Sequence, residues 1–434
     1  DFHLVPILER IFLRATKTKR DWSKETMKRP LRVRTVFLWT HLVLGLLAGL
    51  VIAVMSSTGI VIAFEQEILD FIDRDARTVE VPEGAAPRDL AELLEGLSAV
   101  EPDFSARSVV IPADPAAAYL VSGGKDGSRF VDPYTGEVRR QPSEGAHEVL
   151  HFIEDVHRFL ALEGVAKPVG KMVTGVGNLI FVFLCLSGIY LWFPRNWARK
   201  ALRPLVVLVR TRGDKARHFN QHNVFGVWSV LVLLVIAGSG VVISFPWAHE
   251  LVFRVAGEEP PKERGFRMMA VPDEPFAAPE EGQAPITHAE LVDTLAARFP
   301  EREAIVVDLA PREPERPIHA QVILPDLFTT RGRVFVQVDP YRGEVLRAVS
   351  FGERSAGLRA RVWLRFLHTG EAFGLVGKVA ATLASAASLV LVYTGVMLSI
   401  HRFFRKGRRR RAQAPMIERK TSEVGGLAES PEVP

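Results

Sequence analysis

Among 434 residues there is one cysteine, Cys185. A single thiol excludes an intrachain disulfide framework and an iron–sulfur cluster held by cysteines alone. No Cys-x-x-Cys-His occurs, which excludes a covalently attached c-type haem. No Gly-x-Gly-x-x-Gly lies between a strand and a helix, and Gly175-Val-Gly177 falls inside an apolar run, so no nucleotide or flavin domain is evident. Four stretches also lack Asp, Glu, Lys and Arg altogether: residues 36–64, 172–194, 219–249 and 379–401. A hydrocarbon core about 30 Å thick needs ~20 helical residues, and each stretch meets that length. The hydrophobic content of 48% agrees. The class is therefore an α-helical membrane protein with a four-helix transmembrane bundle. Cys185 sits inside the second run and reads as helix packing.

Lys and Arg concentrate at 14–34, 195–217 and 402–411. The positive-inside rule puts these three segments, and both termini, in the cytoplasm. The net charge of +5 then reports topology. The cluster Arg408–Arg411 reads as an anchor to anionic membrane lipid rather than a nucleic-acid arm. The first run is too long for a signal-peptide core and has no clean small-residue cleavage site after it. The expected organisation is a basic segment 1–35, a span 36–64, an external domain 65–168, a span 169–194 and a basic loop 195–218. A span 219–249, an external domain 250–375, a span 376–401 and a basic tail 402–434 follow.

The two halves repeat each other. His41-Leu-Val-Leu-Gly45 opens the first run, which ends in Ser57-Thr58-Gly59-Ile60. His222-Asn-Val-Phe-Gly226 opens the third, which ends in Gly238-Ser239-Gly240-Val241. Asp132-Pro-Tyr-Thr-Gly136-Glu-Val recurs 207 residues on as Asp339-Pro-Tyr-Arg-Gly343-Glu-Val. Val169-Gly170-Lys171 and Ser187-Gly188-Ile189 recur at the same offset as Val376-Gly377-Lys378 and Thr394-Gly395-Val396. These matches point to an internal duplication of span, external domain, span, with a pseudo-twofold axis along the membrane normal.

Each external domain reads as α+β. Helices are expected over 89–97 and 287–298, and strands over 108–111, 118–121, 128–131, 304–309, 319–324 and 333–338. Asp-Pro-Tyr-x-Gly-Glu-Val reads as strand, structural turn, strand. The acidic, proline-rich stretch 256–285 reads as a flexible surface excursion. Before the second and fourth spans come two amphipathic surface helices that end in His157-Arg158-Phe159 and His368-Thr369-Gly370.

Histidine at a membrane edge is costly, and a pair at matched depth points to function. Two neutral imidazoles are what the iron of a b-type haem needs as axial ligands. His41 with His222 on the cytoplasmic side, and His157 with His368 on the outer side, give two such sites and hence two haem b. Gly45, Gly59, Gly226 and Gly240 would admit a flat macrocycle. Arg34, Arg158, Lys171, Arg217 and Lys378 would pair with propionates. His218 and His401 are alternatives for the cytoplasmic ligands. His147 and His151, at i and i+4, share a helix face and can hold a metal or substrate, or face water.

The strings Trp39-Thr-His41-Leu-Val-Leu-Gly45, Leu186-Ser-Gly-Ile-Tyr-Leu-Trp192-Phe-Pro194-Arg195, His222-Asn-Val-Phe-Gly226-Val-Trp228 and Leu367-His368-Thr-Gly370-Glu-Ala-Phe373-Gly374 resemble the PepSY-associated transmembrane family. The resemblance covers roughly residues 31–401. It implies external PepSY folds, a helix on an antiparallel sheet. It also implies an oxidoreductase: an inner-membrane, two-haem reductase of ferric siderophores. An electron would enter at His41 and His222 from a cytoplasmic or quinol donor, pass to His157 and His368, and reduce Fe(III) in a cleft between the external domains. The fourth span ends Met397-Leu-Ser-Ile-His401-Arg402 where the family frequently has Trp-x-x-Arg. A non-enzymatic PepSY-type regulator and an iron or solute transporter are the other readings.

Overall fold

A computed structural model describes residues 5–194, 198–263, 268–311, 313–326 and 332–412, with side chains described between 33 and 403. Arg195 and the tail from 413 onward lie outside the described residues, as do the side chains of the basic runs at 5–32 and 404–412. The chain divides into two compact units. One comprises residues 1–50, 183–228 and 387–434; the other comprises 51–182 and 229–386.

In chain order, α1 (Val5–Ile62) is followed by α2 (Glu65–Arg77) and α3 (Leu90–Val100). Strands β1 (Ser108–Pro112), β2 (Tyr119–Ser122), β3 (Ser128–Val131) and β4 (Val138–Arg140) follow. Then come α4 (Glu144–Phe159), α5 (Lys167–Trp192), α6 (Arg199–Val206), α7 (Asp214–Ser244), α8 (Pro246–Val255) and α9 (His288–Arg298). The remaining elements are β5 (Ala304–Asp308), β6 (Ile318–Leu324), β7 (Gly332–Val338), β8 (Val345–Val349), α10 (Ala356–Thr369) and α11 (Gly374–Ala412).

Four helical stretches are long and apolar enough to cross a membrane: Val33–Arg77, Gly164–Trp192, Asp214–Ser244 and Glu371–Phe403. Their apolar side chains stay largely uncovered by protein, with Leu47 72%, Leu50 77% and Leu231 72% exposed. Faces this apolar are solvated by lipid rather than water. The third helix ends before the uncharged run 219–249 does. It stops at Ser244, Phe245 is extended, and Pro246 opens α8 at its first turn. Proline lacks the amide proton that the helix needs and pushes the residue before it out of the helical region.

Among the described residues the strands form one antiparallel sheet of eight, in the order β4-β3-β2-β1-β5-β6-β7-β8. This corrects the expectation of two separate domains with a cleft between them. The junction is β1 on β5, from Ser108 opposite Asp308 to Pro112 opposite Ala304. Alone, each four-stranded sheet would expose an edge of unpaired amides and carbonyls. Joined, Val109 and Ile111 align with Val307 and Ile305 on one face, and the apolar alternation continues across the seam.

Helices α3 and α9 cover that face. Leu90, Leu93 and Leu97 recur at helical spacing, as do Leu291 and Leu295, and all five are buried with Val121, Val322 and Val336 in a single core. A fully buried side chain of this size contributes about 1.5–3 kcal/mol. Thr287 and Glu290 close a capping box at the start of α9. In the repeated Asp-Pro-Tyr turns, Asp132 accepts from the Tyr134 and Thr135 amides, and Asp339 from those of Tyr341 and Arg342. Gly136 and Gly343 take φ of 78° and 68° there, which favours glycine.

The stretch 256–285 is not wholly a free excursion. Buried Gln337 on β7 accepts from the Glu274 amide and donates to the carbonyls of Val271 and Pro272.

Candidate functional site

Each compact unit contains one of the two histidine pairs expected from the sequence. In one, the rings of His41 (α1) and His222 (α7) have centroids 6.4 Å apart at 83°. In the other, His157 (end of α4) and His368 (end of α10) are 6.3 Å apart at 64°. A metal held by both nitrogens at ~2.0 Å, each nitrogen ~1.15 Å from its ring centre, sets the centroids about 6.3 Å apart. Both pairs have the spacing of two imidazoles that share one ion.

Every one of the four rings is oriented through Nδ1. His41 meets the Ser187 hydroxyl at 2.8 Å, His222 the Thr394 hydroxyl at 2.9 Å and His157 the Thr58 hydroxyl at 2.9 Å. His368 Nδ1 lies 2.9 Å from the Ile236 carbonyl, with the Ser239 hydroxyl at 3.5 Å. A carbonyl can only accept, so His368 carries its proton on Nδ1. The hydroxyls lead to the same assignment. Thr58 donates its one hydrogen to Val54, Thr394 to Val390 and Ser187 to Leu184. Each hydroxyl must then accept the proton of the imidazole. All four rings thus present a bare Nε2 lone pair, as a ligand histidine does when its other nitrogen is anchored.

A glycine lies under each ring. A Cβ at Gly188 would meet His41 at 3.6 Å, and one at Gly395 would meet His222 at 3.6 Å. At Gly59 it would meet His157 at 3.4 Å, and at Gly240 His368 at 3.0 Å. The dipeptides Thr58-Gly59, Ser187-Gly188, Ser239-Gly240 and Thr394-Gly395 form one cradle per span, with the ring packed on the glycine beside the polar residue and tight enough to exclude a side chain at Gly240. The sequence shows the repeats but not their partners, because each cradle serves a histidine on another helix. Gly45 and Gly226, expected to face a macrocycle, face Leu184 and Leu391 instead.

The second pair rests on matched supports. Buried Asp73 on α2 accepts from the Ser143 amide and hydroxyl and from Gln141 Nε2, at the start of α4. Glu258, just past α8, accepts from the Ser355 hydroxyl and the Gly357 amide at the start of α10. Those bonds hold the Glu258 carboxyl below the usual carboxylate range. At the other ends, α5 and α11 pack tightly against the final turns. A Cβ at Gly170 would lie 1.9 Å from the Phe159 carbonyl oxygen, and one at Gly377 2.3 Å from that of Gly370. The repeated Val-Gly-Lys motif is therefore the contact that fixes where α4 and α10 end. Burial pushes the His157 imidazole down to about 4 and lowers His368 as well, which keeps both neutral and able to ligate.

The basic residues expected at propionates are differently engaged. Lys378 is buried and pairs with Glu67 at 2.7 Å. Arg158 pairs with Glu154, Arg217 with Asp214, Arg34 donates to the Leu191 carbonyl, and Lys171 is exposed. Sequence reasoning missed Arg361, two turns before His368 on the same face of α10. Its Nε donates to His249 Nδ1 at 3.1 Å, and burial lowers its pKa. No carboxylate pairs with it among the described residues. The spacing from His368 was the available signal.

His218 and His401 do not join His41 or His222; they meet each other, with centroids 5.8 Å apart. His147 and His151 lie side by side at 5.1 Å on an exposed face of α4, with Glu154 at 4.0 Å from His151. Among the described residues no group of three His, Cys, Asp or Glu side chains is placed to hold a metal.

A multi-span membrane protein with paired, tautomer-fixed histidines is the class that fold and site define. The model of the PepSY-associated TM region matches residues 38–411, and the chain belongs to that family. No curated protein matches it.

Proposed function

We propose that this chain is a b-haem electron-transfer protein of the bacterial inner membrane that reduces ferric siderophore complexes on the outer side. The observation that supports this is the pair of imidazole couples at 6.4 and 6.3 Å with Nδ1 anchored and Nε2 bare. His41 with His222, and His157 with His368, would each hold one haem b. Bound between two neutral imidazoles, haem iron supplies single-electron transfer. The protein's own work is positioning. The hydroxyls of Thr58, Ser187 and Thr394 and the Ile236 carbonyl hold the tautomers, and four glycines admit the rings. Arg361 is suited to a propionate carboxylate of the second group.

Mirror-related strand order and matched supports at α4 and α10 favour a duplicated chain. The excess of Lys and Arg near residues 14–34 and 195–217 favours cytoplasmic termini, with His41 and His222 as the entry side for a cytoplasmic or quinol donor. The substrate Fe(III) chelate would be reduced near His157 and His368, and Fe(II) would leave because hard oxygen ligands hold it less well. Because the sheet is continuous across β1 and β5, we favour docking of the chelate near the end of α4 or α10 rather than between two domains.

A reduced-minus-oxidised spectrum with a pyridine haemochrome count tests the proposal. Two b-type haems per chain are expected. Colourless protein from cells supplied with haem precursor would overturn it and favour a PepSY-type regulator.

A further inference from the structure

Beside the pair formed by His41 and His222, the same compact unit contains a third histidine couple. His218 lies one helical turn before His222 on α7, and His401 lies two turns after Thr394 on α11. Their rings are 5.8 Å apart and tilted by 32°, and Tyr393 stands edge-on to His218 at 5.6 Å. His218 is only 2% exposed. Nδ1 of His218 and Nε2 of His401 are both buried and have no hydrogen-bond partner. A buried polar nitrogen without a partner is costly and rare, and two of them on neighbouring rings point to an occupant.

The surroundings limit what that occupant is. His41, His222, His157 and His368 are half-buried, whereas His218 is closed off. His401 is half-buried like those four, but a planar macrocycle needs open space at both rings, and His218 lacks it. A single ion does not. Two imidazoles that share one ion have centroids about 6 Å apart, close to the distance seen. Met397 is four residues before His401, so its thioether springs from the same face of α11. No carboxylate forms an ion pair with either histidine among the described residues, which disfavours a divalent cation that needs charge neutralised. Imidazole suits copper, and thioether selects its soft monovalent form, which accepts a low coordination number.

We propose that His218, His401 and Met397 form a binding site for one Cu⁺ ion, separate from the two couples described above. The site does not depend on the haem reading, because its donors are other side chains. It gives a role to His218 and His401, whose buried nitrogens have no protein partner.

The test is anaerobic titration of the full-length protein, as purified in lipid nanodiscs, with Cu⁺ against a chromophoric Cu⁺ chelator. One tightly bound Cu⁺ per chain is expected, lost in the His218→Asn/His401→Asn double variant. Absorption fine structure at the copper edge should show two imidazole nitrogens and one sulfur. Met397→Leu keeps size and apolarity, so folding is preserved; it should remove the sulfur signal and weaken Cu⁺ about tenfold or more. Equal Cu⁺ binding by wild type and double variant would overturn the site. Zn²⁺ held at the same stoichiometry with Cu⁺ excluded would overturn the copper assignment, and no metal in competition would mean that water fills the couple.

Discussion

The Thr58 hydroxyl lies 2.9 Å from His157 Nδ1 and 2.8 Å from the Val54 carbonyl, so with its hydrogen on the carbonyl its oxygen is the acceptor for the imidazole proton. One side chain on the first span thereby decides which nitrogen of a histidine almost a hundred residues away is free to bind a metal. The same logic recurs at Ser187 and Thr394.

Thr58→Val keeps the shape and removes the acceptor. His157 would lose its fixed tautomer while the fold persists. Removing an outer-shell partner of this kind typically lowers metal affinity 10–100-fold. Haem titration of the purified variant should show one weakened site and one unchanged. Wild-type affinity at both sites would mean that the hydroxyl has no orienting role.

Gly170→Ala addresses the same site through the backbone. The added methyl would sit 1.9 Å from the Phe159 carbonyl oxygen, so the end of α4 must move away from α5. Thr174, which donates to the Arg158 carbonyl at 2.9 Å, would lose that bond and keep only the carbonyls of its own helix. A destabilisation of about 1–3 kcal/mol is expected from overpacking, together with altered absorption from the second site alone. Thermal melts and site-resolved spectra would check both; an unshifted melt would show that the contact is soft.

Much of this was readable in advance, and the reasons for the remainder are specific. The spans were legible because lipid tolerates so little charge that four uncharged runs stand out. The histidine couples were legible because the strings around their members repeat along the chain. Two features were hidden. The seam between β1 and β5 depends on which edge strand meets which, a choice that local alternation does not encode. The polar–glycine cradles each serve a histidine brought close only by helix packing. Even the end of the third span followed from a local rule, since Pro246 stops a helix whatever the hydropathy around it.

Glu258 supplies a pH dependence. Its carboxyl is held below the usual range by the Ser355 hydroxyl and the Gly357 amide, so folding favours the ionised form. A lowered folded-state pKa means that this stabilisation is complete above the unfolded pKa and is lost as pH falls through the folded one. The start of α10 should therefore loosen on acidification below the usual carboxylate range. Glu258→Gln should loosen it at neutral pH and flatten the acid limb. Hydrogen exchange of the α10 amides as a function of pH measures this, and identical acid limbs in the two proteins would count against it.

His41→Ala or His222→Ala should remove one haem of two and abolish reduction by donors on the cytoplasmic side, with the group at His157 and His368 retained. The two rings share one spacing, so either loss should have the same consequence. A haemochrome count near one per chain is expected in both variants. Two per chain in both would show that the ligands of the first site lie elsewhere.

The converse experiment separates electron entry from delivery. His157→Ala or His368→Ala leaves one Nε2 where two faced each other at 6.3 Å between ring centres. A haem kept by the remaining imidazole would lack its second axial nitrogen, and a five-coordinate, high-spin signal is the expected signature. The first site, whose ligands and hydroxyl partners lie on α1, α5, α7 and α11, should still accept electrons. Pre-reduced variants mixed with a ferric siderophore by stopped flow should then deliver electrons at a small fraction of the wild-type rate. Wild-type delivery by both variants would require a route that bypasses His157 and His368, and the assignment of that couple as the exit site would have to be given up.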